Sequence, residues 1–287
     1  MDIYTLENPC LRARVTSQGA CTLSLETVPN SAAILRPWDG SKSWHPADSA
    51  MFPMLPFANR IAGNRFVVGD REYHLPKNEY NDPFYLHGNG WLAHWDVSYH
   101  DETTLVFCLK SATLAGYEFT AELKYSLHND EFHTEATLIH TGAHPMPYGI
   151  GFHPYFLLSP EDRVQFSSTG FWTEDEHHLP VEWYTHDHKA GLDFSTPLSP
   201  SGRWINNGYS GWNGVANIVN DQHHIAMRCD TPWLMVFQTH DGGFICLEPQ
   251  THQVNAHHAP GRPGLRMLNK GDSLHLKMVI SVSAHRT

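Results

Sequence analysis

"YEFTAELKYSL", residues 117–127, decides the architecture. Tyr117, Phe119, Ala121, Leu123, Tyr125 and Leu127 alternate with Glu118, Thr120, Glu122, Lys124 and Ser126. A strict period of two means a strand with one face buried and the other solvated. After the turn signal His128-Asn129-Asp130, "FHTEATLIH" continues the alternation, which predicts an antiparallel hairpin. A second hairpin is expected to pivot on Gly69-Asp70, between "RFVV" and "REYHL". Further strands are legible in "TLVFCLK", "HHIAMRC", "WLMVFQT", "FICLE" and the terminal "LHLKMVISV", and no comparably long segment has helical period. The 19 prolines and 21 glycines, spread throughout, punctuate short segments as in an all-β protein. The stretch from about 159 to 215 has weak periodicity and many turn residues, so it is expected to wrap over the sheets as long loops.

Composition narrows the classes. A chain of 287 residues without a linker or an internal repeat fits one large β domain, since sandwiches and barrels reach this size undivided. With 19 Lys+Arg against 30 Asp+Glu the formal net charge is −11, which argues against nucleic acid or an anionic lipid surface as partner. A small molecule or a protein is the expected partner. Cys10, Cys21, Cys108, Cys229 and Cys246 are odd in number and scattered, so they form neither a disulfide framework nor a CxxC metal motif. The N-terminus shows no secretory pattern and no stretch has the ~20 apolar residues of a spanning helix. The chain is read as cytoplasmic.

Four stretches combine polar functional groups with glycine or aromatics: "NRIAGNRF" (59–66), "YLHGNGW" (85–91), "GFHPYF" (151–156) and "CLEPQTH" (246–252). Proline disfavours the helical region for its predecessor, so His153 and Glu248, each followed by proline, are expected to be extended. Aromatic neighbours tune an imidazole's pKa, and their flat faces suit the C–H faces of a sugar ring. Taken alone, His153 reads either as a packed core histidine or as a positioned acid or base. Glu248, closing the apolar run "FICL", reads either as a buried partner of an arginine or as a functional carboxylate. Arg60 can equally be the counter-ion of a buried acid, and His87 can simply cap its glycine turn.

Together the motifs narrow these choices. Asn-Arg ahead of "AGNRF", then "LHG", "FHPYF" and "LEP", in that order from about residue 50 to 282, resembles the aldose 1-epimerases, or galactose mutarotases, and their shorter bacterial branch most. The resemblance implies one large antiparallel β-sandwich over 1–287 with few short helices. It also implies an isomerase that interconverts the α and β anomers of a hexose-type sugar; because that reaction proceeds unaided in water, no cofactor and no metal are expected, and the chain is expected to be a monomer or homodimer. By the same resemblance Glu248 is the general base and His153 the general acid. His87 and Arg60 orient the sugar, and Asn59, Asn206 and Gln238 are further contacts. Trp91 and Trp212, in glycine-flanked turns, are the tryptophans read as ligand contacts.

The chemistry fits these residue types on its own terms. Anomer exchange needs a proton to leave the C1 hydroxyl while another reaches the ring oxygen, so that the hemiacetal opens, rotates and closes on its other face. Such a pair must hold Glu248 ionised and His153 protonated, and if near each other each favours the other's charged form. One departure from the family is Asn206, where an aspartate usually contacts sugar hydroxyls. An amide keeps an acceptor and loses the charge, which predicts relaxed preference among neutral hexoses and greater tolerance of an anionic substituent.

Two other classes compete. "HDH" (186–188), with the His-x-His spacing of a cupin-like metal site, and "HQVNAHH" (252–258) offer imidazole ligands, although the first lies in the loop-rich middle. A non-catalytic carbohydrate-binding β-sandwich would use the nine tryptophans, but it would not require a glutamate and a histidine each fixed before a proline.

Overall fold

The computed structural model describes residues 1–41, 44–77, 82–185, 192–200, 202–220 and 223–284. Two large sheets, all of whose pairings are antiparallel, form the body. The first runs in the order Ile3–Glu7, Leu11–Thr16, Thr22–Thr27, Met51–Met54, Gly151–Leu157, Phe244–Gln250, Trp233–Gln238, Ile205–Ser210, Gly170–Glu174 and Pro180–Tyr184. The second runs Arg163–Phe166, Val215–Val219, His223–Cys229, Ser273–Ala284, Glu131–His140, Tyr117–His128, Thr104–Leu114 and Asp96–His100. Helix is limited to 3₁₀ turns at Pro46–Asp48, Ala62–Asn64 and Gly90–Leu92 among the described residues.

The alternating strand behaves as its sequence dictates. Tyr117, Phe119, Leu123 and Tyr125 are buried in the main core, and Glu131 pairs with His128 across a two-residue turn in which Asn129 takes φ +54°. The second hairpin also closes as expected, pairing Val68 with Arg71, with Gly69 at φ +63°. Tyr125 stacks on Phe132 at 5.6 Å and donates its hydroxyl hydrogen to the Ala20 carbonyl at 2.6 Å, which ties the second sheet to the loop between two strands of the first.

The ten-stranded sheet is buried on both faces near its middle, and period two separates two kinds of residue. In Gly151–Leu157, Phe152 and Phe156 enter the main core, whereas Tyr155 joins a second cluster with Phe52, Trp91 and Cys246 on the opposite face. Phe244–Gln250 repeats the division, with Ile245 and Leu247 on the core side. His153 and Glu248 share the parity of Tyr155 and Cys246, so they too leave the core and face the second cluster.

The region 159–215 departs from expectation. It is not a set of long loops: it holds the strands Arg163–Phe166, Gly170–Glu174, Pro180–Tyr184 and Ile205–Ser210. These strands are four to six residues long and most are partly exposed, so their alternation is too brief to stand out from the turns between them.

Candidate active site

Register builds the centre. Gly151 pairs with Gln250 and Tyr155 with Cys246, which sets His153 opposite Glu248. Between those two pairs neither Pro154 nor Pro249 has an N–H to give the ladder. On the other side of the same strand His153 pairs with Phe52. The result is a contact of 3.2 Å between His153 Nε2 and Glu248 Oε1, with both side chains buried. Glu248 Oε2 and His153 Nδ1 are buried as well and have no hydrogen-bond partner, an arrangement that native cores avoid and functional sites tolerate.

The imidazole is held in a column of flat groups. Trp91 stacks on Phe52 at 4.7 Å, Phe52 on His153 at 4.5 Å, and His153 on Tyr155 at 4.7 Å, each within 27° of parallel. The Arg36 guanidinium caps the column 3.9 Å from the centre of the Tyr155 ring, fixed in turn by the carbonyls of Ala47 and Ser49. These ring contacts leave His153 little freedom about its own axis.

His87 is fixed by a different device. Asn59 and His87 both adopt left-handed backbone, at φ +60°, and the His87 N–H donates to the Asn59 carbonyl. The Asn59 N–H donates to His87 Nδ1 at 3.1 Å, so Nδ1 is an acceptor and the ring proton sits on Nε2. Gly88 makes the approach possible: a Cβ there would lie 1.9 Å from the Leu55 carbonyl oxygen. Asn59 Oδ1 accepts from the Arg60 backbone N–H and from Arg60 Nη1. Arg60 Nη2 meets Asp82 at 2.7 Å. Arg60 is thus the partner of a partly buried acid and, at the same time, a wall of the cleft.

The cleft has a volume of about 180 Å³, with His153 and Glu248 among the residues that line it. Asn59, Arg60 and His87 line it too, as do Phe52, Trp91 and Tyr155. Phe237, Trp204, Asn206 and His178 also contribute to its lining.

Burial governs the titration of the central pair. It pushes the Glu248 carboxyl up to about 8, against the opposing pull of Arg60, and pushes the His153 imidazole down to about 3. The expectation that proximity makes both groups charged is therefore corrected: desolvation outweighs their mutual attraction and favours the neutral forms. Burial, reinforced by His153 and Arg60, also keeps His87 well below its ordinary value and so neutral.

Two expected contacts lie elsewhere. Gln238 pairs with Ile205, and its parity puts it on the core side of the sheet, where Nε2 donates to the Phe244 carbonyl at 3.0 Å; its neighbour Phe237 faces the cleft instead. Trp212 lies beyond the far end of the strand that carries Asn206, roughly 20 Å along it. It is buried there, with Nε1 donating to the Val215 carbonyl.

Of the histidine-rich segments, "HDH" (186–188) falls outside the described residues. In the other, each imidazole is used locally: His252 accepts from the Ala58 N–H at 3.0 Å, His257 meets the Tyr117 hydroxyl at 2.7 Å, and His258 donates to the Arg65 carbonyl at 2.7 Å. They do not form a ligand set. Among the described residues one group of three side chains brings metal-capable atoms within 4.8 Å of one another, namely His153, Cys246 and Glu248. Burial holds the Cys246 thiol well above its ordinary value.

Asn206 also differs from expectation. Its Nδ2 donates to Glu174 Oε2, so the charge that the amide lacks stands immediately behind it. The predicted tolerance of anionic substituents loses its premise. Glu174, with Phe52, Tyr155, Trp204 and His178, belongs to the site without having been singled out in the sequence. Asn206 and Glu174 are 32 residues apart, and only the pairing of Gly170 with Ser210 and Phe171 with Tyr209, continued along both strands, brings them opposite each other.

Known proteins share this arrangement of sheets. The sequence profile of the aldose 1-epimerase family matches residues 2–281. The uncharacterized protein YphB of Escherichia coli K12 is 36% identical over 296 residues, spanning 98% of this chain and 99% of YphB. The crystal structure of a candidate aldose 1-epimerase from Escherichia coli K12 superimposes with a TM-score of 0.91 at 33% identity, over 99% of both chains. A galactose mutarotase-like protein from Clostridium acetobutylicum gives 0.84 at 19% identity, over 98% of this chain and 94% of that one, and so speaks to the fold alone.

Proposed function

Because the chain belongs to the aldose 1-epimerase family, we propose that it interconverts the α and β anomers of a hexose-type sugar by acid–base opening and closing of the ring. The observation that carries the reading is the 3.2 Å approach of His153 Nε2 to Glu248 Oε1 at a cleft with aromatic and hydrogen-bonding walls. Phe52, Trp91 and Tyr155 offer apolar surface to the C–H faces of one sugar ring. His87 Nε2–H and Arg60 offer donors to its hydroxyls, and Asn59 and Asn206 offer amide groups.

In this reading Glu248 and His153 work as a unit that holds one mobile proton. Neutral glutamic acid with neutral imidazole, and carboxylate with imidazolium, have the same proton count. Transfer from Oε1 to Nε2 converts the resting form into the reactive one without exchange with solvent. The faces of Phe52 and Tyr155 stabilise the imidazolium once formed, by about 0.5–2 kcal/mol each, and Arg60 favours the carboxylate. Glu248 then removes the C1 hydroxyl proton while His153 protonates the ring oxygen. After rotation about C1–C2 the roles reverse on the opposite face. Each positioned transfer contributes about 10²–10⁴-fold.

The direct test is anomer exchange, followed by NMR or polarimetry, on freshly dissolved single anomers of a panel of neutral and anionic hexoses. Exchange above the spontaneous rate supports the reading, and binding without exchange favours the carbohydrate-binding alternative. The pH profile carries a sharper signature. The active pair keeps one proton, so kcat/KM is expected to fall as pH rises through about 8, where the pair loses it. No acid limb is expected near the ordinary histidine value of 6.5, because the second proton binds only near 3. A half-maximal point at 6.5 would mean that His153 titrates as an exposed histidine.

A second expected result separates this chemistry from a metal-dependent one. Exhaustive dialysis against a chelator is expected to leave the exchange rate unchanged, since both proton transfers use protein groups. Loss of activity that a stoichiometric divalent ion restores would instead assign His153, Cys246 and Glu248 to a metal.

A further inference from the structure

Glu174 sits where three residues of the cleft wall converge. Its Oε1 accepts the Trp204 indole N–H at 2.7 Å, and its Oε2 accepts both His178 Nδ1–H at 2.8 Å and Asn206 Nδ2–H. A carboxylate only accepts, so each of the three neighbours must turn a donor toward it. For Asn206 the consequence is decisive. With Nδ2 committed to Glu174, the amide's remaining strong acceptor for the cleft is Oδ1. For Trp204, 40% exposed at the rim, the bond fixes the indole plane beside the cleft, with His178 lying 5.6 Å from it at 35°.

We propose that Glu174 is a positioning and specificity residue: it holds Asn206 as a hydroxyl acceptor and sets Trp204 against the sugar, so that amide and carboxylate together do what a single cleft carboxylate would do. This inference rests on the reading of the cleft as a sugar site. The resulting preference is for a neutral ring with a hydroxyl donor facing Asn206 Oδ1, and the charge of Glu174 behind the amide disfavours an anionic substituent at that end.

The arrangement makes an unusual exchange testable. Asn206→Asp alone sets two carboxylates at hydrogen-bonding distance, which forces them to share a proton or to separate. Glu174→Gln alone replaces an acceptor-only group by one acceptor and one donor group: even with His178 in its other tautomer, Asn206 either loses its partner or flips and turns Nδ2 instead of Oδ1 to the cleft. The double variant Glu174→Gln/Asn206→Asp restores every partner. The introduced glutamine oxygen accepts from Trp204, and its amide donates to the introduced aspartate and to His178 Nδ1 in its other tautomer.

The experiment measures kcat and KM for α-D-glucose and α-D-galactose, sugar affinity by calorimetry, and thermal melts, on wild type, both singles and the double. Each single is expected to raise KM by about tenfold or more, as loss of a buried hydrogen-bond partner does, with kcat changing less. The double is expected to return within about threefold of wild type. If Asn206→Asp folds only in the presence of Glu174→Gln, that rescue is itself the expected coupling. Additive losses in the double overturn the proposal, as do singles with unchanged KM. Should wild type exchange no hexose at all, the functional reading fails, whereas the calorimetric affinities still decide whether Glu174 and Asn206 act as a pair.

Discussion

Glu248→Gln is expected to reduce anomer exchange by about 10³-fold or more while leaving sugar affinity nearly intact. The amide matches the carboxyl in shape, so the cleft and the contact with His153 keep their dimensions. It cannot take the C1 hydroxyl proton. Retention of more than about a tenth of wild-type turnover would remove Glu248 from the role of base. The same variant carries a stability signature of opposite sign. Burial raises the Glu248 carboxyl from 4.5 to about 8, so the folded state holds a proton that the unfolded chain releases earlier. Stability from this group is present below pH 4.5 and is lost progressively as pH rises to about 8. Glutamine does not titrate. The variant's melting temperature should therefore gain on wild type between pH 5 and pH 8 and keep that margin above it. A more active but less stable wild type is the mark of a group retained for chemistry. A variant that is less stable than wild type at every pH would mark Glu248 as a structural anchor instead.

How much of this was legible beforehand depends on the distance over which the signal acts. Tyr117–Leu127 announces its strand because eleven consecutive residues obey one period, and the hairpin after it needs only the local turn at Asn129-Asp130. His153 and Glu248 could be singled out because a proline follows each and restrains its backbone, a constraint one residue long. That they meet is set by strand pairing across 95 residues of sequence, which only the resemblance to the family anticipated. The failures have the same origin. Gln238 and Phe237 are adjacent and both plausible by composition, yet parity sends one to the core and the other to the cleft. Glu174 is one acid among several in the run "TEDEHH", and nothing local distinguishes it, because its three partners lie at positions 178, 204 and 206. The charged state of the central pair escapes the sequence for a physical reason: attraction between two groups follows from their types, whereas the extent of their desolvation depends on the complete fold.

His153→Gln is expected to lower turnover by about 10²-fold or more through loss of the general acid, but that variant also takes a ring out of the column. The imidazole lies between Phe52 at 4.5 Å and Tyr155 at 4.7 Å, and such stacked contacts contribute about 0.5–1.5 kcal/mol each. A drop in activity accompanied by a drop in melting temperature would leave catalysis and packing entangled. His153→Phe separates them. A phenyl ring keeps both stacking partners and removes a buried Nδ1 that has no hydrogen-bond partner, while Glu248 Oε1 loses its contact with Nε2, so the melting temperature near neutral pH should fall by no more than the loss of one buried hydrogen bond. It has no proton to give, so turnover should fall as far as in His153→Gln. The acid side offers an independent check. Burial lowers the imidazole from 6.5 to about 3, so the unfolded chain gains a proton that the folded state refuses, and wild-type stability declines as pH falls from 6.5 toward 3. The phenyl variant should lose that part of the decline. A His153→Phe protein that is stable and turns over at the wild-type rate would show that the ring between Phe52 and Tyr155 is there for packing, and the acid would have to be sought elsewhere in the cleft.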